Sequence, residues 1–327
     1  MKALVYKAPQ TLSFDEVIEP IADEGEVIIR VDTVGICGSD MHAYLGHDDR
    51  RPAPLILGHE AAGQIKNGEY KDKRVTINPL VSCRTCEFCH RGAQNLCLSR
   101  QIISMPPREG AFAEFVKIPF ENLIEVPDNV SLDKAALAEP VACGWSAVRK
   151  CSNFLGERFN IAKALVIGGG AIGVGAALSL IAQGVGSVII IEPQESRRKF
   201  IQNHIGLEAA AETSSVPQFD IVIDGVGVSA TRSLSSLVVK AGGVIAHIGL
   251  GSSEGGLDAR RITLQGISFF GCYTYTPADF RETANAIFDG SLGALDWVHF
   301  RALSEGAKAF EDLQNGFVTH PKILLKP

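Results

Sequence analysis

Apolar and polar positions along this chain repeat with two different periods. From residue 2 to about residue 127, apolar residues recur at every second position in short runs such as 27–31 and 112–118, and few stretches show helical spacing. That half is expected to be β-rich. After about Ala135 the chain alternates between short apolar strands, at 164–167, 188–192, 221–224 and 244–248, and helical stretches beginning at Ala171, at Glu195 and after Asp224. Such alternation predicts a parallel, doubly wound sheet, so the expected class is α/β with a β-rich companion. From about Thr276, two amphipathic helices at 278–288 and 304–316 precede a terminal strand at 322–325, expected to return to the first half. With no repeat or long polar linker between the parts, two compact domains with a site between them are expected.

Composition narrows the class of function. A chain of 327 residues that is 46% hydrophobic exceeds the usual single-domain core, and 33 glycines suit many tight strand-to-helix turns. The net charge of -6 lacks the basic excess that nucleic acid or an acidic lipid surface requires. The N-terminal residues contain no uninterrupted apolar core of a secretory signal, so a cytoplasmic location is expected. The most apolar stretch, 162–191, is broken by glycines from Gly168 to Gly175 and again at Gly184 and Gly186, which reads as strand, helix, strand rather than a membrane span.

Three groups of residues carry chemistry. Cys83, Cys86, Cys89 and Cys97 have the spacing C-x2-C-x2-C-x7-C, and four thiolates suit a closed, structural zinc site. An iron-sulfur site or redox dithiols are the other readings. The second group is dispersed: Cys37, followed by Gly38-Ser39-Asp40-Met41-His42, then His59-Glu60, then Glu139-Pro140. Catalytic zinc needs three protein ligands and one open position; Cys37 and His59 supply a thiolate and an imidazole, and Glu60 or Glu139 a carboxylate. Taken singly, each residue is as well explained by packing or by a surface polar pair. In the third group, Gly168, Gly170 and Gly173 form a GxGxxG motif with Ala171 and Ile172 at the start of a helix, directly after an apolar strand. This is the pattern of a pyrophosphate-binding turn. Glu192 ends the next strand, where a carboxylate meets the adenosine ribose and favours NAD over NADP, while Arg197 and Arg198 beside it could meet a 2′-phosphate, or Arg197 could pack over adenine.

In this order, the CGSDxH motif at Cys37, GHE at Gly58, the four cysteines, the glycine motif and the terminal KILLKP resemble zinc-dependent medium-chain dehydrogenases and reductases over nearly the whole chain. The resemblance is to the polyol branch, which includes sorbitol, galactitol-phosphate, idonate and threonine dehydrogenases. It implies a GroES-like catalytic domain from residues 1–148 and 275–327 and a Rossmann NAD-binding domain from 149–274. It further implies two zinc ions per chain. Cys37, His59, Glu60 and Glu139 correspond to the catalytic-zinc set, with the two carboxylates competing for one position. Asp40 corresponds to the aspartate that orients the ligand histidine. Ser39 and His42 correspond to a relay that carries the alcohol proton past the nicotinamide ribose to solvent. Zinc would acidify the substrate hydroxyl and hydride would pass to NAD. Relatives pair their sheets edge to edge, implying a homodimer or homotetramer through 267–271. The loop at 66–71 is shorter than usual, and Glu192 stands in place of the commoner aspartate.

Tyr44, His47, Arg50, Phe112 and Tyr273 are the candidate walls of the substrate pocket. A cationic side chain aimed into it would imply an acidic or phosphorylated sugar, hydroxyl and amide partners alone a neutral polyol. The competing readings are a zinc-lacking reductase with the same cofactor domain and a non-catalytic, zinc-stabilised binding protein.

Overall fold

The computed structural model describes residues 1–214 and 216–327. The strand Glu26–Gly35 is the spine of the β-rich half. Its first three residues are partly buried, the next alternate between buried and exposed from Ile29 to Thr33, and Val34 and Gly35 are buried. It pairs antiparallel with Phe115–Pro119, with Glu60–Ile65 and, at its last two residues, with Lys322–Lys326. Arg74–Ile77 and Leu123–Glu125 extend the sheet on one side, and Val298–Ala302 extends it on the other. The C-terminal segment thus closes onto the first half. Gly35 pairs with both Glu60 and Leu324, so three strand ends converge where Cys37, His59 and Lys322 lie.

The second half contains six parallel strands in the order Ala209–Ala210, Ser187–Ile191, Lys163–Ile167, Phe219–Asp224, Val239–His247, Ser268–Gly271. Strand order reverses on either side of Lys163–Ile167, which opens a crevice at the carboxyl ends of the strands. The helix Ala171–Ala182 is apolar nearly all round because it is sandwiched between this sheet and the long helix Ala138–Leu155. The two helices approach closely: a Cβ on Gly144 would lie 2.7 Å from the Ala176 backbone. The long helix runs through residue 148, where the sequence suggests a domain boundary, so this crossing between the halves is a rigid rod.

A second crossing follows the edge strand Ser268–Gly271 and ends in the helix Pro277–Phe288. Thr276 Oγ1 accepts from Asp279 N at 3.1 Å, and the Asp279 carboxylate accepts from Thr276 N at 2.9 Å. This reciprocal cap, with Pro277 at the first helical position, fixes where the helix starts. No helix among the described residues is long and apolar enough to cross a membrane.

Candidate active site

Cys37 lies two residues beyond the strand Glu26–Gly35, at the start of the short helix Gly38–Tyr44. His59 immediately precedes the strand Glu60–Ile65. The Cys37 thiol, a His59 ring nitrogen and a Glu60 carboxylate oxygen all lie within 4.8 Å of one another. The arrangement requires glycine at position 35, since a Cβ there would lie 2.0 Å from Glu60 Oε2.

Asp40 is fully buried and holds this corner together. Its carboxylate accepts from Cys37 N at 2.9 Å and Gly58 N at 3.2 Å and stands 3.5 Å from His59 Nδ1. Ser104 Oγ lies 3.2 Å from the same nitrogen. These two groups engage Nδ1, while Nε2 lies 3.4 Å from Ser39 Oγ. Burial opposes charge on both Asp40 and His59, yet their mutual attraction prevails: the carboxyl is held below, and the imidazole well above, its ordinary value.

Glu60 and Glu139 have separate partners. Lys322, from the terminal strand, donates to Glu60 Oε1 at 2.7 Å, to Oε2 at 2.6 Å and to Ile36 O at 2.8 Å. Burial alone would depress this ammonium, but the Glu60 carboxylate holds it above its usual range. Glu139, on the long helix, stands outside the Cys37, His59 and Glu60 group and accepts from Tyr275 Oη at 2.7 Å. Burial, reinforced by the charge of Glu60, raises the Glu139 carboxyl to about 7. Neither Lys322 nor Tyr275 stands out in the sequence as a site residue.

A cleft of about 800 Å³ joins these groups to the crevice of the parallel sheet; Cys37, Ser39, His42, Glu139, Ile172 and His247 all line it. Ser39 and His42 are three residues apart on one short helix and share a face. Cys143, one helical turn beyond Glu139, also faces the cleft, with its thiol pushed up by burial. At the carboxyl ends of two parallel strands, the buried carboxylate of Asp224 accepts from Val226 N, Gly227 N, Thr231 Oγ1 and His247 Nδ1, at 2.9–3.1 Å. His247 also lines the cleft, a feature not apparent from sequence.

His47, Arg50 and Tyr273 line the cleft, whereas Tyr44 and Phe112, the other two expected wall residues, do not. Both are core residues, with rings 5.2 Å and 5.9 Å from that of Phe310. Phe112 also lies under Gly58, where a Cβ would be 2.5 Å from the ring. The strand expected over 112–118 begins only at Phe115.

The glycine motif has the form a pyrophosphate requires. Gly168 has φ of 99°, Gly170 has open space on its Cβ side, and a Cβ on Gly173 would lie 1.8 Å from Gly168 O. Ala171 and Ile172 open the following helix. The Glu192 carboxylate accepts from Gly169 N at 3.0 Å and Gln194 N at 2.8 Å. Arg197 donates to Val318 O at 3.1 Å and approaches Glu192 at 3.7 Å, while Arg198 donates to the Glu192 and Pro193 carbonyls. Both guanidiniums are therefore turned toward protein acceptors.

The four clustered cysteines converge as well. Cys97 and Cys83, Cys86 and Cys89, and Cys83 and Cys89 have sulfurs 3.4, 3.5 and 3.9 Å apart. Tetrahedral zinc with bonds of about 2.3 Å sets its thiolates about 3.8 Å apart, so the group fits zinc and is too open for disulfides. Hydrogen bonds from the backbone and side chain of Thr85 lower the Cys83 thiol to about 6, while burial raises that of Cys89 to about 11. The thiolate, imidazole and carboxylate at Cys37, His59 and Glu60 fit a zinc ion with an open position equally well.

Comparison with known proteins agrees with this geometry. Residues 23–128 match the alcohol dehydrogenase GroES-like domain and residues 171–289 match the zinc-binding dehydrogenase family. The chain is 31% identical to sorbitol dehydrogenase of Bacillus subtilis, covering 88% of this chain and 87% of that protein. It is 28% identical to L-galactonate-5-dehydrogenase of Escherichia coli, covering 90% and 89%. An alcohol dehydrogenase of Escherichia coli CFT073, solved with NADH, shares the fold with a TM-score of 0.88 at 24% identity, covering 100% of this chain and 99% of that one. The chain belongs to the zinc-dependent medium-chain dehydrogenase/reductase family, in its polyol dehydrogenase branch.

Proposed function

We propose that this protein is a zinc-dependent dehydrogenase that oxidises a secondary alcohol of a polyol, sugar acid or sugar phosphate to the ketone and passes the hydride to NAD. The observation that carries this reading is the meeting of a thiolate, an imidazole and a carboxylate within 4.8 Å, where Cys37 and His59 line a cleft that also reaches Ile172 of the glycine motif. When bound, zinc supplies Lewis acidity at the substrate hydroxyl and NAD supplies the hydride acceptor.

Cys37 and His59 would hold the metal, with Glu60 and Glu139 competing for the third protein position. Asp40 keeps His59 in the required tautomer. Ser39 takes the hydroxyl proton and His42, on the same helical face, exchanges it with solvent. Gly168, Gly170, Ala171, Ile172 and Gly173 would cradle the pyrophosphate and Glu192 would meet the ribose. The engagement of Arg197 and Arg198 with protein acceptors supports NAD over NADP. Cys83, Cys86, Cys89 and Cys97 would hold a second, structural zinc. We assign residues 1–148 and 275–327 to the catalytic domain and 149–274 to the cofactor domain. A cytoplasmic location and a homodimer or homotetramer paired through the edge strand complete the reading.

The test is a panel of alditols, aldonates, sugar phosphates and threonine with NAD, followed by nicotinamide absorbance before and after chelation. Oxidation lost on chelation and restored by zinc is the expected result. Turnover that survives complete removal of zinc would favour the zinc-lacking reductase, and one zinc per chain with no cofactor binding would favour the non-catalytic protein.

A further inference from the structure

The residues just beyond the helix Gly38–Tyr44 bear on the charge of the substrate. Gly46 takes a left-handed φ of 76° and turns the chain so that His47, Asp48, Arg50 and Arg51 line the same cleft as Cys37 and Ser39. Asp48 organises this wall. One carboxylate oxygen accepts from Arg50 N at 3.2 Å and Arg50 Nε at 2.7 Å; the other accepts from a terminal Arg50 nitrogen at 3.0 Å and from the Arg51 guanidinium.

The two arginines differ in what they leave free. Arg51 is 2% exposed, and its Nε donates to Ser104 O at 3.0 Å, so it braces the loop whose serine hydroxyl meets His59. The Arg50 side chain is 57% exposed, and its other terminal nitrogen has no protein acceptor among the described residues. Two guanidiniums share one carboxylate, which leaves one positive charge uncompensated. Besides Asp48, the only carboxylate lining the cleft among the described residues is Glu139, which is engaged by Tyr275. This part of the cleft wall is therefore cationic, and its outward guanidinium is already fixed in orientation by Asp48.

A neutral polyol gains little from such a group, whereas a carboxylate matches the planar fork in shape and charge. A phosphate monoester carries closer to two negative charges and would exceed the single charge on offer. We propose that the substrate is a polyhydroxy monocarboxylate of the aldonate class, bound with its reacting hydroxyl toward Cys37 and His59 and its carboxylate on Arg50. This rests on the dehydrogenase reading and narrows it. In the reaction the carbinol C–H bond breaks and its hydrogen leaves with both electrons as hydride to NAD. The hydroxyl proton is released, the C–O bond becomes C=O, and the carboxylate is unchanged, giving a keto acid.

The experiment compares kcat/KM for D-gluconate, L-idonate and L-galactonate with that for sorbitol, galactitol and galactitol 1-phosphate, in the zinc-loaded wild type and in Arg50→Gln and Arg50→Lys. We expect at least one aldonate to exceed its matching alditol tenfold or more. In Arg50→Gln that ratio falls at least tenfold, mainly through KM, and Arg50→Lys restores part of it. NADH fluorescence titration verifies that each variant is folded. Preference for alditols, or a ratio unchanged in Arg50→Gln, overturns the carboxylate assignment while leaving the dehydrogenase reading intact. Preference for the phosphate ester overturns it in favour of a different anion. Oxidation of none of the six removes both readings.

Discussion

Lys322 is 4% exposed and its ammonium is fully engaged by Glu60 and the Ile36 carbonyl. Removing one partner of a buried pair leaves the other charge stranded, at a cost of about 3–5 kcal/mol. Lys322→Met is therefore expected to lower the thermal midpoint of the chelated protein sharply and that of the zinc-loaded protein less, because a cation beside Glu60 compensates for the missing ammonium. Calorimetry of the two forms checks this; equal losses would mean that Glu60 does not turn to the metal. Lys322 escapes sequence reading because it is 262 residues away from Glu60, and a lysine opening a terminal strand reads as an ordinary solvated charge. Cys37, His59 and Glu60 are legible only as a combination, since each residue alone has a bland explanation. Phe112 and Tyr44 mislead for a related reason: an aromatic near a presumed site looks like a wall until the packing partner Phe310, 198 and 266 residues away respectively, is known.

The helix Pro277–Phe288 shows how an element is tied to the site. Its cap residue Asp279 also accepts from Arg149 on the helix Ala138–Leu155, at 2.9 Å for one of the two bonds. Burial works against the charged carboxylate, but the guanidinium and the Thr276 donors outweigh it and hold the Asp279 carboxyl below its ordinary value. A depressed value means that the stabilisation is complete above the unfolded pKa of about 3.9 and is lost as pH falls through the folded one. Asp279→Asn is therefore expected to cost about 2 kcal/mol at pH 7, discounted for the partly exposed arginine. The gap in thermal midpoint from wild type should shrink toward pH 3. A gap independent of pH would refute the ionic contribution. Elements of this kind are readable in sequence where the signal is contiguous: Thr276, Pro277 and Asp279 mark a helix start, and the glycine turn with Glu192 marks a nucleotide site, within 25 residues of chain. Pairing of remote strands leaves no such local mark, and the convergence of three strand ends at Gly35 is invisible before folding.

For the whole molecule, the strand Ser268–Gly271, which carries Phe269 and Phe270, ends its sheet with one hydrogen-bonding edge unpaired among the described residues. Phe270 packs edge-on against Phe154, with ring centroids 5.8 Å apart. If copies pair through this edge, Phe270→Lys places an ammonium in the joint and should shift the sedimenting species to monomer while NADH binding persists. An unchanged mass would direct the search for the interface elsewhere.

The lobe containing Cys83, Cys86, Cys89 and Cys97 meets the cleft wall at Tyr273: Asn95 Nδ2 donates to Tyr273 O at 2.8 Å, Arg100 Nε donates to Tyr273 Oη at 3.3 Å, and Tyr275, two residues further on, grips Glu139. The lobe is thus a footing for the Glu139 carboxylate as well as a local clasp. In a cell short of zinc, the two metal positions would not fill as separate accounts, and the supply of working enzyme would follow whichever position filled last.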